Sequence, residues 1–413
     1  MLKKNCRMCK SSNLFEFLDL GFSPPSDDFL TKEQLDCEEV HYPLKVNSCR
    51  DCGLVQLNYV VPPHLMFNEN YPYESSMTKT GREHFTSMGM EICKRFDLKQ
   101  DSFVIDIGSN VGVLLASFKS QGMRVLGIEP SANIAKTAIK NGIDTKIAFY
   151  SSKLTQEIKQ QFGNVSVITG TNVFAHIDDL DDFAKACDTL LTDDGIIVIE
   201  APFLGSMLDN LEYDTIYHEH LSYLSLKPMI KFFKKFGMEV FDITIQSIHG
   251  GTCRYYICRE GKWKVSDSIA KFLQMEEEQG LYNEERLKKF SYDVRAHKQE
   301  LTKLLIDLKR QGKKIVGVSA PAKGNTLLNY CKIGPEILDY LTERSLLKIG
   351  KYSPGTHIPV YSDEMLMSDN PDYGLILAWN FAKDIIENNK EFMQKGGKFI
   401  IPIPIPTIVS NQT

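Results

Sequence analysis

The sequence contains no hydrophobic run of roughly 20 residues, the length that a helix needs to span a bilayer. Its N-terminus, MLKKNCRMCK, leads into polar residues, which is not typical of a secretory signal peptide. An excess of basic residues is also missing, since 48 Lys and Arg against 53 Asp and Glu give a formal net charge of −5. That balance argues against a protein that mainly neutralises nucleic-acid phosphates. We therefore expect a cytoplasmic protein with no membrane or nucleic-acid partner.

Length and composition are those of an ordinary globular chain. The 413 residues are 43% hydrophobic and 24% charged, which excludes wholesale disorder. A chain of this length is too long for one compact core and predicts two or three domains.

Four of the ten cysteines form two C-x2-C pairs, Cys6 with Cys9 and Cys49 with Cys52. Two such pairs can place four thiolates tetrahedrally around one Zn²⁺. Because a four-cysteine site has no open position for a substrate, we expect a structural zinc in a small N-terminal domain. Redox chemistry, or no metal, is the alternative. The unpaired cysteines are predicted to be structural, the last five as small buried apolar residues: Cys37, Cys93, Cys187, Cys253, Cys258 and Cys331.

The segment VPPHLMFNENYPYESSMTKTGREHF follows the second pair and has neither helical nor strand periodicity. It is either a connector or a lid that contributes contacts to a neighbouring active site. The residues alone favour the connector.

From about residue 85, predicted helices and strands alternate, which is typical of a doubly wound α/β domain. The strand FVIDI leads into a loop with Gly108 and Gly112, and a second strand ends at Glu129. A dinucleotide site would prefer G-x-G-x-x-G, and Asp106 would repel a pyrophosphate. The same aspartate suits the ammonium group of S-adenosylmethionine, and Glu129 can accept hydrogen bonds from both ribose hydroxyls. The pattern therefore favours S-adenosylmethionine over NAD.

The next strand supplies Asn172 and His176 just past its end, on the side of the sheet where a ligand is expected. A lone histidine after a strand is most often solvated or part of a cap. The position of His176 on the ligand side favours a role in the site. Downstream, His249 either faces the pocket or belongs to the turn before a final antiparallel strand, TCRYYICR.

The segment LEYDTIYHEHLSYLSL concentrates titratable side chains at Tyr217, His218, Glu219 and His220. A metal site is an alternative, but histidines two residues apart point to different sides of a helix. A second alternative is that the segment is a polar structural turn. General acid–base chemistry fits better, because histidine titrates near neutrality and a neighbouring carboxylate can orient it. A methyl donor beside a base implies a substrate that loses a proton from oxygen, nitrogen, or carbon next to a carbonyl.

Residues 264–311 have helical periodicity and are predicted to form one or two bridging helices. The segment GKKIVGVSAPAKGNTLLNY then repeats the strand, loop and helix arrangement, with Lys323 where a phosphate could be held at a helix start. It lacks a Walker A sequence. We expect a second, smaller doubly wound sheet that binds an anionic ligand such as a nucleotide, or else has a purely structural or dimerising role.

Several long motifs together resemble the nucleotide-sugar C-methyltransferases that act on 4-keto-6-deoxyhexoses. They extend over essentially the whole chain: the two cysteine pairs, YPYESS, VIDIGSNVGVLL, NVFAHIDD, YHEHLSY, HGGTCRYY, AKGNTLLN, YSPGTHIPV and LAWNF. The resemblance implies a zinc-binding domain at 1–84, a class I methyltransferase domain with a Rossmann-like fold at 85–263, and a helical bridge with a Rossmann-like nucleotide-sugar domain at 264–413. It also implies a monomer or a weak homodimer.

The resemblance also implies roles for individual residues. His220 would remove the proton at sugar carbon 3, and the other catalytic or pocket residues would be Tyr217, Glu219, His176, Tyr71 and Tyr73. This replaces the connector interpretation of the tyrosine segment by a lid. S-adenosylmethionine would contact Asp106, Gly108, Asn110, Gly112, Glu129, Pro130 and Asn172. The nucleotide-linked keto-deoxysugar would contact Lys323, Asn325, Ser353, Thr356, Trp379, Asn380 and His249.

Rival hypotheses are an O- or N-methyltransferase acting on a nucleotide sugar, a non-catalytic zinc-containing binding protein, and a nicotinamide-dependent sugar dehydrogenase. Two motifs also depart from the family. The usual P-P-A-N is replaced by P-P-S-D ending at Asp27, which could alter substrate contacts. The usual glycine-rich G-Y-G-A-x-x-K-G is replaced by V-S-A-P-A-K-G, which keeps Lys323.

Overall fold

The structure is a computed structural model that describes residues 1–76, 78–246 and 250–411. This part of the chain forms three β-sheets with helices around two of them, which confirms the predicted α/β class. His249 lies outside the described residues. None of the helices in these ranges is both long and apolar enough to cross a membrane.

The first sheet is antiparallel and has the order β1-β2-β3-β9. Its strands are β1 (Leu14–Ser23), β2 (Tyr42–Cys49), β3 (Val55–Leu57) and β9 (Ser222–Tyr223). The last strand follows the Tyr217–His220 segment directly, so the chain returns to the N-terminal sheet at that point. A short helix, α1 (Pro63–Met66), follows the third strand.

The central sheet has the order β10-β11-β8-β7-β4-β5-β6 and is parallel except for β11, which is antiparallel to both neighbours. The predicted antiparallel final strand is thus present. The strands are β4 (Phe103–Ile107), β5 (Arg124–Ile128), β6 (Thr145–Lys146), β7 (Val165–Thr171), β8 (Leu191–Pro202), β10 (Met238–Gln246) and β11 (Thr252–Arg259). The helices are α2 (Lys79–Arg95), α3 (Val113–Ser120), α4 (Ala132–Lys140), α5 (Ser152–Phe162), α6 (Leu180–Leu190), α7 (Leu204–Asp209) and α8 (Leu226–Lys234).

The central strand β4 shows why this sequence forms a covered parallel sheet. All five of its residues are buried, as expected where helices cover both faces of a sheet. The chain then turns at Gly108, which has φ +65°, and a Cβ there would lie 2.9 Å from the side chain of Val173. Glycine is needed at this turn both for its backbone conformation and for the space.

Two helices, α9 (Asp267–Glu278) and α10 (Glu284–Arg310), form the predicted bridge. The third sheet has the order β14-β13-β12-β15-β16-β17 and is parallel except for its last strand. Its strands are β12 (Ile315–Val318), β13 (Leu341–Glu343), β14 (Val360–Ser362), β15 (Tyr373–Ile376), β16 (Lys398–Ile401) and β17 (Thr407–Val409). Its helices are α11 (Ala322–Cys331), α12 (Glu364–Asp369), α13 (Ala382–Asn388) and α14 (Lys390–Gln394).

A buried ion-pair network fixes α2 to the central sheet. Glu200 of β8 accepts a hydrogen bond from Nε of Arg254 on the neighbouring β11 at 2.7 Å, and both side chains are buried. Its other oxygen lies 2.5 Å from Nε2 of His84, and Arg254 also donates to Glu91 at 2.9 Å. Burial disfavours the charged carboxylate, but His84 and Arg254 hold the pKa of Glu200 below its ordinary value.

Replacement of Arg254 by methionine should therefore destabilise the protein strongly. The change leaves the buried Glu200 without its guanidinium partner, and breaking a buried pair in this way costs about 3–5 kcal/mol. Arg310→Met is a control, because Arg310 is exposed and its one ion pair with the described residues is with Asp307 at 3.7 Å. Denaturant unfolding should show a lower free energy of unfolding for the first variant and a change within about 0.5 kcal/mol for the second. Equal effects would contradict the assigned role of the network.

Candidate active site

A cavity of about 1420 Å³ is lined by residues from all three parts of the chain. Asp106 and Glu129 of the central sheet, Tyr71 of the tyrosine segment, His220 and Lys323 all face it. These residues belong to separate motifs of the sequence, and the fold brings them together around one cavity.

The carboxyl end of the central sheet supplies two buried acids. Oδ1 of Asp106 accepts a hydrogen bond from Thr169 at 2.7 Å, and burial raises the pKa of Asp106 to about 7. The carboxylate of Glu129 accepts the backbone N–H groups of Asn110 at 3.0 Å and Ser131 at 2.8 Å. Each oxygen of Glu129 keeps a lone pair for a further donor.

The residues present fit S-adenosylmethionine. Asn172 has a φ of +56° after β7, and its Oδ1 is buried at the cavity wall with no hydrogen-bond partner in the ranges that the structure describes. That amide oxygen, the free lone pairs of Glu129 and the acid at Asp106 together form a set of acceptors for hydroxyl and ammonium donors. Pro130 also lines the cavity, whereas Gly112 supports the loop from beside Ile143.

The tyrosine segment lies along the cofactor end of the cavity. The side-chain amide of Asn110 donates to the carbonyl of Tyr73 at 3.1 Å and accepts the N–H of Ser75 at 2.8 Å. Asn133 donates to the carbonyl of Tyr71 at 2.9 Å. The segment thus contributes to the cavity wall, contrary to the connector that its residues alone favour.

The two histidines of the Y-H-E-H segment point in different directions. His218 is buried and its ring contacts Tyr42 of the first sheet edge-on, with centroids 5.9 Å apart. His220 faces the cavity, and its Nδ1 donates to the carbonyl of Thr215 at 2.7 Å. This hydrogen bond selects the Nδ1–H tautomer, which places the lone pair of the neutral ring on Nε2.

The ring of His220 lies between two other candidate residues. Its centroid is 5.1 Å from that of His176 and 4.0 Å from that of Tyr217. Burial, together with the neighbouring His220, lowers the pKa of His176 well below its ordinary value, so His176 is neutral. Nε2 of His176 has no hydrogen-bond partner among the residues described.

Glu219 is buried between the N-terminal and C-terminal parts of the cavity wall. Its Oε2 accepts a hydrogen bond from the hydroxyl of Tyr71 at 3.2 Å. Burial, and next the Asp27 carboxylate, raise the pKa of Glu219 to about 8. Asp27 itself lies 3.1 Å from Nζ of Lys348, which also donates to the carbonyl of Ala320 at 2.9 Å. The substituted residue of the P-P-S-D motif therefore forms a buried ion pair with the third domain.

Lys323 lies beside Trp379, with its Nζ 4.2 Å from the ring centroid. Trp379 donates through Nε1 to Asp214 at 2.6 Å. Burial lowers the pKa of Lys323, and the carboxylates of Asp214 and Glu212 oppose that change. Asp214 directly precedes Thr215, so this cluster contacts the turn that orients the imidazole of the Y-H-E-H segment. Sequence reasoning missed Asp214, since a single acid in a turn carries no pattern.

The remaining predicted substrate residues differ in their placement. Asn380 lines the cavity, and its Oδ1 has no partner among the described groups. Asn325 is buried and donates to the carbonyl of Ser26 at 2.7 Å. Ser353 and Thr356 bond to each other at 2.7 Å. The last three stand outside the set of described residues that line the cavity. The Asn325 contact joins the third domain to the first, whereas the contact between Ser353 and Thr356 lies within the third domain.

The four paired cysteines form the one group of three or more potential metal ligands in the described part of the chain. Their sulfur atoms all lie within 4.8 Å of one another, with 3.5 Å between Cys6 and Cys52 and between Cys9 and Cys49. Gly53, with φ +89°, forms the turn after the second pair. Four converging sulfurs fit a tetrahedral Zn²⁺. The five cysteines expected as buried apolar residues are buried, whereas Cys37 is exposed.

Three family profiles match successive parts of the chain: a putative zinc binding domain over 6–67, a methyltransferase domain over 84–243 and a C-methyltransferase C-terminal domain over 247–404. The chain is 32% identical to C-methyltransferase NovU of Streptomyces niveus over 410 residues, 99% of this chain and 97% of NovU. It is 23% identical to a ubiquinone biosynthesis O-methyltransferase of Colwellia psychrerythraea, over 41% of this chain and 70% of that protein. Magnesium protoporphyrin IX methyltransferase of Synechocystis PCC 6803 aligns with a TM-score of 0.33 and 11% identity, over 43% of this chain and 79% of that chain.

Cysteine replacement separates the metal ligands from the exposed thiol. Cys52→Ser should abolish stoichiometric zinc and lower the midpoint of thermal unfolding by about 5 °C or more, because the metal cross-links two turns. Cys37→Ser should leave both unchanged, since Cys37 is exposed and outside the cluster. Metal analysis and thermal unfolding measure the two effects. Full zinc content in Cys52→Ser would rule out the four-cysteine site.

The raised pKa of Glu219 predicts a pH dependence of stability. The unfolded chain loses this proton near pH 4.5, but the folded protein keeps it to about pH 8. Between these values the folded state binds more protons, so the free energy of unfolding falls as pH rises, by at most about 1.4 kcal/mol per pH unit. Glu219→Gln should remove this part of the fall, and the exposed Glu157→Gln should not. Parallel stability profiles from pH 5 to 8 for Glu219→Gln and the wild type would contradict the assignment.

Proposed function

Because the chain belongs to the C-methyltransferase family, we propose that it methylates a carbon atom of a nucleotide-linked 4-keto-deoxyhexose. Its central domain has the S-adenosylmethionine-binding methyltransferase fold, and the four-cysteine cluster lies in its putative zinc-binding domain. The methylated position in this proposal is carbon 3 of the sugar, next to the ketone at carbon 4.

One observation carries the proposal: a single cavity joins the acids of the central sheet, the imidazole of His220 and the ammonium group of Lys323. A nucleotide sugar has an anionic diphosphate at one end and a reacting ring at the other. The N-terminus of α11 and Lys323 suit the diphosphate. The sugar ring would then lie toward His220, between the two Rossmann-like domains.

In this proposal Asp106, Glu129 and Asn172 hold the cofactor through their acceptor oxygens. When bound, S-adenosylmethionine supplies an electrophilic methyl group on a sulfonium, whose sulfur keeps the bonding electron pair after transfer. The chain's own residues must remove the proton from the sugar and stabilise the negative charge that develops on the ketone oxygen.

His220 is the proposed base. Its Nε2 takes the proton from carbon 3, which the neighbouring ketone makes acidic, and the C–H electron pair passes into an enolate with negative charge on the carbon 4 oxygen. The carbonyl of Thr215 stabilises the imidazolium through Nδ1–H. A new carbon–carbon bond at carbon 3 then restores the ketone.

In this proposal Tyr217, at the wall of the cavity, stabilises the enolate. Burial raises the pKa of Tyr217 well above the ordinary value, so its phenol stays protonated and can donate a hydrogen bond to the developing oxyanion. Burial likewise keeps Tyr71 protonated, but its hydroxyl already donates to Glu219 and so positions that side chain. The neutral His176 adds a ring with one N–H donor and one acceptor nitrogen at the same wall.

The experiment is hydrogen exchange at carbon 3. For exchange, a panel of 4-keto nucleotide sugars is incubated in deuterated water with the wild type and S-adenosylhomocysteine, which cannot donate a methyl group. For methylation, the same sugars are incubated with S-adenosylmethionine, and the products are identified by mass spectrometry. We expect deuterium at carbon 3 and a product heavier by one methylene group. His220→Asn should reduce both rates by about 10²–10⁴-fold, the usual contribution of a general base.

The surface variant His64→Asn serves as the matched control, since His64 is exposed on α1 and lies outside the cavity wall. It should retain exchange and methylation. Methylation without exchange in the wild type would exclude the enolate, and unchanged exchange in His220→Asn would assign the base to another residue.

A further inference from the structure

The third sheet repeats the construction that surrounds Glu129 in the central sheet. In the central sheet, β4 ends in a left-handed residue, Gly108 with φ +65°, before α3 begins. In the third sheet, β12 ends in the left-handed Ser319, with φ +70°, before α11 begins. The V-S-A-P-A-K-G sequence therefore forms the same left-handed turn, with Ser319 at the position of the glycine.

The second strand of each unit ends in a glutamate with equivalent hydrogen bonds. Glu129, just after β5, accepts one N–H from the loop after β4 and one from the residue two positions further on. Glu343, the last residue of β13, accepts the N–H of Ala320, in the loop after β12, at 3.1 Å. It also accepts the N–H of Ser345, two positions further on, at 3.2 Å. Both glutamates line the same cavity.

The hydrogen bonds of Glu343 leave one acceptor position. Oε1 accepts the N–H groups of Arg344 at 2.7 Å and of Ser345, which uses both of its lone pairs. Among the residues that the structure describes, Oε2 accepts only the N–H of Ala320, so one lone pair remains on that oxygen. A carboxylate held in this way at the end of the second strand is the group that binds a ribose hydroxyl in nucleotide-binding α/β folds.

We propose that Glu343 binds a sugar hydroxyl of the substrate's nucleoside, as the counterpart of Glu129 for the adenosine of the cofactor. The nucleoside then lies at the carboxyl ends of β12 and β13, and its phosphates extend toward the start of α11 and Lys323. This inference rests on the proposed function, because it takes the third sheet to bind a nucleotide. It adds the residue and the ligand group that recognise the nucleoside.

The test uses nucleoside diphosphates and their 2′,3′-dideoxy analogues. Binding of UDP, CDP, GDP, ADP and dTDP to the full chain is measured by calorimetry, and the tightest binder is compared with its analogue that lacks the sugar hydroxyls. We expect the analogue to bind about tenfold or more weakly to the wild type, since a charged acceptor loses its donor. Glu343→Gln should bind both forms with nearly equal affinity.

Glu129→Gln provides the matched control. It should weaken binding of S-adenosylhomocysteine and leave binding of the nucleoside diphosphate unchanged. Glu343→Gln should weaken binding of the nucleoside diphosphate and leave binding of S-adenosylhomocysteine unchanged. If Glu343→Gln also loses S-adenosylhomocysteine binding, the substitution has disturbed the fold as a whole. The test then depends on whether the wild type binds the dideoxy analogue more weakly than the parent nucleoside diphosphate. Equal wild-type affinities for the two forms would overturn this inference alone. No binding of any nucleoside diphosphate would overturn the proposed function as well.

Discussion

The pairing of β3 with β9 joins the N-terminal sheet to the segment that carries His220 to the cavity. Gln56 is opposite Ser222 in this pair, and the N–H of Leu57 donates to the carbonyl of Leu221 at 3.0 Å. The Y-H-E-H segment immediately precedes β9, so its position depends on the N-terminal sheet as well as on the central one.

Arg7 extends this dependence to the cysteine cluster. It lies inside the first C-x2-C turn, is buried, and donates to the carbonyls of Leu57 at 2.7 Å and Leu221 at 3.0 Å. It also pairs with Asp178 at 3.2 Å, two residues after His176. A metal that fixes the Cys6–Cys9 turn therefore fixes a guanidinium that contacts both histidine-bearing segments, although no zinc ligand reaches the cavity.

The sequence patterns predicted the elements with strong local signals. The continuous apolar run of β4, the glycines after it and the paired cysteines each depend on neighbouring residues, so spacing was enough. Contacts between distant residues could not be predicted in this way, and Lys348 with Asp27 and Glu200 with Arg254 are examples. The two-residue β9 also has no periodicity, and only the fold assigns it to the N-terminal sheet. The cavity roles stay predictions, because geometry alone does not identify a base.

The shared first sheet also limits how the protein can be divided. Residues 217–223 lie within the stretch of chain that forms the central domain, but Leu221 and Ser222 complete the sheet of the N-terminal domain through backbone pairing. A chimaera that exchanges only residues 1–84 with a relative would place a foreign strand edge against the native β9. Transfer of substrate preference between relatives should therefore treat these two separate stretches of sequence as one inherited unit.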